Sequence, residues 1–444
     1  MDRVGGVGAL RLVSATAMAA TAGLGKTWEG ADLDTEEVER YARQLVLPKF
    51  GARNQTKLRD SSVLVVGAGG LGSPVCLYLA AAGVGTLGVV DQDEVDRSNL
   101  HRQILHTEDQ VGEHKAVSAA ISIKRLNSTT TVETHVDGFR PGTALGLVGR
   151  YDAVVDASDN PATRYCVNDA CVIAGKPLIS GAAIGTDGQM SVYNHGEDCP
   201  CYRCVWPVPP EAGSCQRCSD AGVLGVLPGI IGTLQALETI KVLTGVGECA
   251  TQRLVLFDGM STCFRSLKLR PRQSDCAVCG DHPAITADNI GAFDYESECG
   301  GPMHDRGGGA CLRVLSESNR VDARSLSKKL ADLSEASEEA RAAVGLVDVR
   351  PKAEFDFASL PGFVNLPFDE LEDFGRSWGD GAGGETLLRG KREVYVVCRR
   401  GNDSQLAVEK ILGSGLVEAS AGVFDLEGGL QEWSRTVDDT FPVY

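Results

Sequence analysis

The sequence predicts an α/β protein: a doubly wound parallel sheet followed by a second, smaller α/β domain. Three observations carry that expectation. Short apolar runs suited to buried strands alternate with helical stretches. A glycine-rich loop, Gly67-Ala68-Gly69-Gly70-Leu71-Gly72, lies between one such run and a helix. Composition shifts after about residue 282, where a Gly-rich polar stretch precedes a further set of strands and helices.

The elements follow in order. Residues 1–34 read as a disordered tail rather than a secretory leader, because they lack a compact apolar centre and a clear cleavage site. Thr35-Glu36-Glu37-Val38 reads as a helix start with an acidic first turn. Ser62 to Val66 is a buried strand, Pro74 to Ala82 a helix and Leu87 to Val90 a second strand. Ala153 to Val155 and Pro177 to Ile179 add further strands, closing a first domain over 35–285. Residues 286–311, with Gly307-Gly308-Gly309, read as a linker. In the second domain, 312–444, Ser325 to Leu333 and Gln405 to Leu412 are helical, and Gly345 to Val349 and Val394 to Val397 are strands.

Length and charge remove several function classes. The 444 residues suit two or three domains, and 43% hydrophobic residues exclude wholesale disorder. A net charge of −17 argues against direct nucleic-acid binding, which needs clustered Lys and Arg. The most apolar stretch, Ala221 to Leu237, is interrupted by glycines and Pro228, so no membrane span is expected. Fifteen cysteines cannot all pair within one chain, which fits a reducing, cytosolic setting with thiol or metal chemistry.

The glycine loop sits where backbone amides approach a phosphate at a helix N-terminus, with Gly70 inside it. Asp91 ends the next strand, where a carboxylate holds a ribose hydroxyl. By themselves these features favour an NAD-dependent oxidoreductase. Ser98-Asn99-Leu100-His101-Arg102-Gln103 and Lys115 shift the reading. Arg102 and Lys115 supply fixed cations suited to a triphosphate under attack, a pair that hydride transfer does not need. Their bland alternative is a solvated helix face. Asp93 suits a magnesium ion, and Asp159-Asn160 follows another strand end.

From about Arg40 to Gly280 these motifs resemble the ubiquitin-activating-type adenylyltransferases, and among them the molybdopterin-synthase adenylyltransferases. The resemblance implies that Gly70, Asp91, Ser98, Asn99, Leu100, His101, Arg102, Lys115, Asp159 and Asn160 bind ATP with Mg2+. The implied reaction adenylates the C-terminal glycine of a ubiquitin-like protein. Arg40-Tyr41-Ala42-Arg43-Gln44 also matches; there the family's second arginine, Arg43 here, reaches the partner subunit's nucleotide, which implies a homodimer.

Cys201-Tyr202-Arg203-Cys204 and Cys276-Ala277-Val278-Cys279 have the spacing of zinc knuckles, although they lie far apart in the chain. Cys215-Gln216-Arg217-Cys218 is a rival knuckle, and Cys199 a further ligand candidate. Buried free thiols explain two paired spacings poorly. The resemblance implies one structural Zn2+ on Cys201, Cys204, Cys276 and Cys279, and makes Cys218 a catalytic nucleophile with Arg217 lowering its pKa. Cys215 has no counterpart in that pattern.

Cys398-Arg399-Arg400-Gly401-Asn402-Asp403-Ser404 forms a strand-to-helix loop, where backbone amides and two arginines favour a thiolate or persulfide anion. With Leu346-Val347-Asp348-Val349-Arg350, Asn365-Leu366-Pro367 and Glu427-Gly428-Gly429-Leu430-Gln431-Glu432-Trp433, it resembles a rhodanese domain. Leu360-Pro361-Gly362 departs from the usual His-Ile-Pro-Gly type turn. The fusion resembles eukaryotic adenylyltransferase–sulfurtransferases serving molybdenum-cofactor synthesis and tRNA wobble-uridine 2-thiolation. It implies persulfide transfer from Cys398 to a ubiquitin-like sulfur carrier, either the molybdopterin-synthase small subunit or a ubiquitin-related modifier, with a cysteine desulfurase as donor. A conjugation-type activating enzyme would use Cys218 alone and leave Cys398 without a role.

Overall fold

The computed structural model describes residues 32–209, 222–303, 312–372 and 388–443, apart from 416 and 419. They fall into two compact units that divide between His304 and Asp305.

The first unit opens with α1 (Thr35–Leu45) and α2 (Gly51–Arg59). Asp34 and Glu37 form a reciprocal capping box at the start of α1, satisfying two amides that the helix leaves unpaired. Leu33 is buried, and the Asp32 carbonyl accepts from Arg59, so the fold starts slightly before the tail boundary expected at residue 34. The chain continues through β1 (Ser62–Val66), α3 (Gly72–Ala82), β2 (Thr86–Val90), α4 (Lys115–Leu126), β3 (Thr131–His135), α5 (Pro141–Val148), β4 (Ala153–Asp156), α6 (Pro161–Ile173) and β5 (Leu178–Ile184). Then come β6 (Asp187–Tyr193), α7 (Tyr202–Val205), α8 (Val226–Thr244), β7 (Arg253–Asp258), β8 (Cys263–Lys268) and α9 (Tyr295–Glu298).

The sheet order is β3-β2-β1-β4-β5-β6-β7-β8. The first five strands pair in parallel, and β6 to β8 extend the sheet in antiparallel fashion. The doubly wound half was expected; the antiparallel extension was not, although β7 carries the apolar run Leu254 to Phe257, because β6 and β8 on either side of it are largely polar. Strand order reverses at β1 and β4, opening a crevice at their C-terminal ends. Two apolar cores cover the sheet, one around Leu79, Leu87 and Ile231, the other around Tyr151, Leu178 and Tyr295.

Helix α8 is long and apolar enough by composition to cross a membrane. Here it packs on the sheet, where its buried Gln235 donates to the carbonyls of Asp156 and Ile179. Residues 286–303, expected as linker, belong instead to the first unit. Ile290, Tyr295, Cys299 and Met303 are buried in its second core, and the remainder of the expected linker, 304–311, lies outside the described residues.

The second unit contains β9 (Arg320–Val321), α10 (Ala323–Glu335), α11 (Glu338–Ala342), β10 (Val344–Asp348), α12 (Lys352–Phe357), β11 (Val364–Asn365), α13 (Phe368–Glu372), β12 (Glu393–Val397), α14 (Asp403–Gly413), β13 (Gly422–Leu426) and α15 (Gly429–Thr436). Its strands all pair in parallel, in the order β11-β10-β12-β13-β9. The buried Asp348–Arg350 ion pair, closed by Asn365 donating to both of their backbone carbonyls, gives the Val-Asp-Val-Arg and Asn-Leu-Pro landmarks a physical role.

Candidate functional site

In the first unit, loops from four parallel strands line one cavity. The β1 loop supplies Gly69 and Gly70, β2 supplies Asp91 to Asp93, β3 supplies Gly138 and Phe139, and β4 supplies Ser158 to Asn160. Arg102 and Lys115 complete its charged side. Gly67 has φ +98°, and a Cβ there would meet the Ala157 carbonyl oxygen at 2.6 Å, so only glycine lets the β1 and β4 loops approach. Buried His106 contacts the Ala68 carbonyl at 2.9 Å and Ser118 at 2.7 Å, bracing the glycine loop.

Asp91 accepts from the amides of Ala68 and Asp93 at 2.8 and 2.9 Å. Burial pushes its carboxyl up to about 6, against the pull of Lys115 and those two amides. The Lys115 ammonium pairs with Asp93 at 2.8 Å. Burial draws its pKa down, but the Asp91 and Asp93 carboxylates outweigh burial and hold it above its usual value, so Lys115 is a fixed cation. The carboxylate expected to hold magnesium is therefore engaged by this lysine.

Of the ten residues expected to bind nucleotide, Gly70, Asp91, Arg102, Lys115, Asp159 and Asn160 line the cavity. Ser98, Asn99, Leu100 and His101 do not. They form the turn that carries Arg102, whose guanidinium donates to Asn99 Oδ1 at 2.6 Å and contacts His101 Nε2 at 2.8 Å. Asn160 caps α6 by accepting from the Thr163 amide at 2.8 Å. Beneath it, Arg164 pairs with buried Asp156 at 3.0 Å and donates to the Ser158 and Gly181 carbonyls. Ser158, in the strand-end segment Asp156 to Asn160 that the sequence singles out, also lines the cavity, whereas no sequence signal was read for Phe139, Thr163, Arg164 and Met303. A polar residue just inside a capped helix after a strand was the available signal for Thr163 and Arg164; Met303 offered none.

A second groove shares Leu71, Ser158, Asp159, Asn160 and Ala183 with this cavity and continues along Tyr202, Trp206, Leu256 and Phe257. It is an apolar channel ending at the cavity. Cys215 and Cys218 lie outside the described residues. The chain resumes at Gly222, and Val223 and Pro228 line the cavity.

Cys201, Cys204, Cys276 and Cys279 place their sulfurs within 4.8 Å of one another. Three of the separations, Cys201–Cys204, Cys201–Cys276 and Cys204–Cys279, are 3.3 to 3.8 Å, near the edge of a tetrahedron with metal–sulfur bonds of about 2.3 Å. The Gln273 amide also donates to Cys204 Sγ at 3.3 Å. This cluster fits a structural zinc ion. Buried Cys199 lies outside it, and every described cysteine is a free thiol.

In the second unit, Cys398 directly follows β12 and is 1% exposed. Its sulfur accepts from the Gly401 amide at 3.1 Å and lies 3.3 Å from Ser404 Oγ. Gly401 has φ +78°, and a Cβ there would meet the Gly428 amide nitrogen at 2.8 Å. The Gly428–Gln431 turn thus braces the loop, with the Leu430 and Gln431 amides donating to the Cys398 and Arg399 carbonyls. Burial, then Asp403, push the Cys398 thiol up, while Ser404 and the Arg400 amide pull it down. Burial is the largest of these influences and favours the neutral thiol, while the amides and Ser404 act in the direction expected of a loop that holds a thiolate or persulfide anion.

Comparison with known proteins agrees with this division. The ThiF family matches residues 41–278, and the Rhodanese-like domain matches 328–436. The chain is 48% identical over 416 residues to the adenylyltransferase and sulfurtransferase MOCS3-2 of Zea mays, covering 93% of this chain and 82% of that protein. It is 45% identical over 426 residues to adenylyltransferase and sulfurtransferase MOCS3 of Bos taurus, covering 93% and 89%. Among solved structures, E. coli MccB with MccA-N7isoASN is similar at a TM-score of 0.49 and 25% identity, covering 56% of this chain and 76% of that one.

Proposed function

This chain belongs to the ThiF family and is an adenylyltransferase joined to a sulfurtransferase, and from that premise we propose that it acts on the C-terminal glycine of a ubiquitin-like sulfur carrier. The observation that carries the proposal is the apolar channel running into the charged cavity, which suits a thin, extended peptide end delivered to a nucleotide. The glycine carboxylate attacks the α-phosphorus of ATP, and pyrophosphate leaves. Arg102 and Lys115 offset the charge that develops there. Asp91 holds the ribose; Mg2+ bound with the nucleotide would be held by the cavity carboxylates Asp159 and, where the phosphates take over its Lys115 partner, Asp93, and would offset phosphate charge.

A persulfide on Cys398, loaded by a cysteine desulfurase, then attacks the acyl carbon. A carbon–sulfur bond forms as the bond to AMP breaks. The Cys218 thiolate attacks Cys398 Sγ of the resulting acyl disulfide and releases the carrier thiocarboxylate; a thiol reductant reopens the Cys218–Cys398 disulfide. The carriers we favour are the molybdopterin-synthase small subunit and a ubiquitin-related modifier, which lead to molybdenum cofactor and to 2-thiolated tRNA. Exposed Val46 and Leu47, just past exposed Arg43, support a homodimer in which Arg43 serves the partner's nucleotide. Zn2+ on the four-cysteine cluster is structural, and the absence of disulfides among the described cysteines supports a reducing, cytosolic setting.

The test is a carrier thiocarboxylation assay with ATP and a persulfide donor, read by intact mass. Cys398→Ala is expected to abolish the thiocarboxylate while leaving ATP–pyrophosphate exchange within about twofold, and Cys218→Ala to reduce product about tenfold or more. Full product formation by Cys398→Ala would sink the sulfur-transfer assignment.

A further inference from the structure

Residues 290–303 follow the zinc-knuckle region and return to the cavity. The Met303 amide donates to Glu296 Oε1 at 2.9 Å, and its carbonyl accepts from Asn160 Nδ2 and Thr163 Oγ1, each at 3.1 Å. Asn160 thus spends its amide oxygen on capping α6 and its amide nitrogen on Met303. Met303 and Phe139 both line the cavity and belong to the same apolar core, whereas Asp93, Arg102 and Lys115 supply the cavity's charge.

One buried ion network fixes this segment. Arg203, 3% exposed, donates from Nε to Asp169 at 2.9 Å and from both terminal nitrogens to Glu298 at 3.0 and 2.8 Å. Tyr165 and Phe293 flank its guanidinium, and the Tyr295 hydroxyl donates to Asp169 at 2.9 Å. An arginine taken this far out of water needs both carboxylates, because removing one leaves a buried charge half-paired. Arg203 stands between Cys201 and Cys204, so knuckle, α6 and segment 290–303 are tied together.

We propose that residues 290–303 form a strap completing the nucleotide pocket, with Met303 as a wall against the adenine base and Glu298 as the positioning residue that holds it. The proposal rests on reading the cavity as the ATP site. Phosphates occupy the Arg102–Lys115 side and the base occupies the Phe139–Met303 side, so the strap acts on the nucleoside and leaves the phosphates alone.

The experiment measures calorimetric affinities of the full chain for MgATP and for inorganic tripolyphosphate, which has no base. Glu298→Ala is expected to weaken ATP about tenfold and Met303→Ala about fivefold, with Glu298→Asp recovering most of the loss and tripolyphosphate unchanged within about twofold. Hydrogen exchange of the 295–303 amides is expected to slow when ATP binds the unsubstituted protein. ATP affinity unchanged in both alanine variants, or equal weakening of both ligands, would overturn the strap while leaving the ATP site standing. An unsubstituted protein that binds no ATP would overturn both.

Discussion

The cavity of the first unit and the Cys398 loop of the second solve the same problem differently. Both lie at the C-terminal ends of parallel strands and both receive negative charge. The cavity does so with fixed cations, Arg102 and Lys115, set against carboxylates drawn from separate strand ends. The Cys398 loop works mostly through backbone amides within a few residues, braced by the Gly428–Gln431 turn. Charge on long side chains must be positioned by distant partners; charge supplied by amides comes with the turn itself. The first site therefore depends on long-range packing, and the second on local conformation.

Breaking long-range packing should separate the two sites most strongly. Cys276→Ser removes one sulfur from the four-cysteine cluster, and the first unit is expected to lose zinc and roughly 10 °C or more of melting temperature. Persulfide loading on Cys398 should survive. Metal analysis and calorimetry read the first effect, and intact mass the second; equal loss of both would break the contrast.

A smaller effect follows from deleting one cation. Lys115→Ala is expected to lower adenylation about 10²- to 10³-fold, in the range for removing one preorganised charge, with sulfur loading untouched. ATP–pyrophosphate exchange measures it.

Titration provides the finest distinction. Asp91 is held above its ordinary value, so the folded chain binds its proton more tightly than the unfolded chain does. Its contribution is present below pH 4 and is lost as pH rises through about 6. The unliganded protein should thus lose roughly 2 kcal/mol across that window, discounted for partial exposure, and Asp91→Asn should abolish the slope. Urea denaturation at pH 4 to 7.5 checks this, and identical slopes in both proteins would contradict the burial of Asp91.

Several elements were legible because their signals are local. The β1 run, the glycine loop, the acidic start of α1 and the strand into Cys398 each state their conformation within a few residues. The cavity was legible where a residue followed a strand end, as at Asp91 and Asp159. It was illegible where a side chain acts through another, as Asn99 does through Arg102, or where the contact is a backbone carbonyl, as at Met303.

By itself the sequence determined the two α/β domains, the strand-end placement of Asp91 and Asp159 and the strand-to-helix loop that carries Cys398, because periodicity and turn chemistry act over short spans. Tertiary structure alone decided that Asp93 takes Lys115 and that residues 286–303 join the first unit, and it brings Cys201 and Cys204 to Cys276 and Cys279, a pairing that spacing left open and the family resemblance implied. Such choices between distant partners are made by the free energy of burying charge and apolar surface together, and no local pattern records that sum.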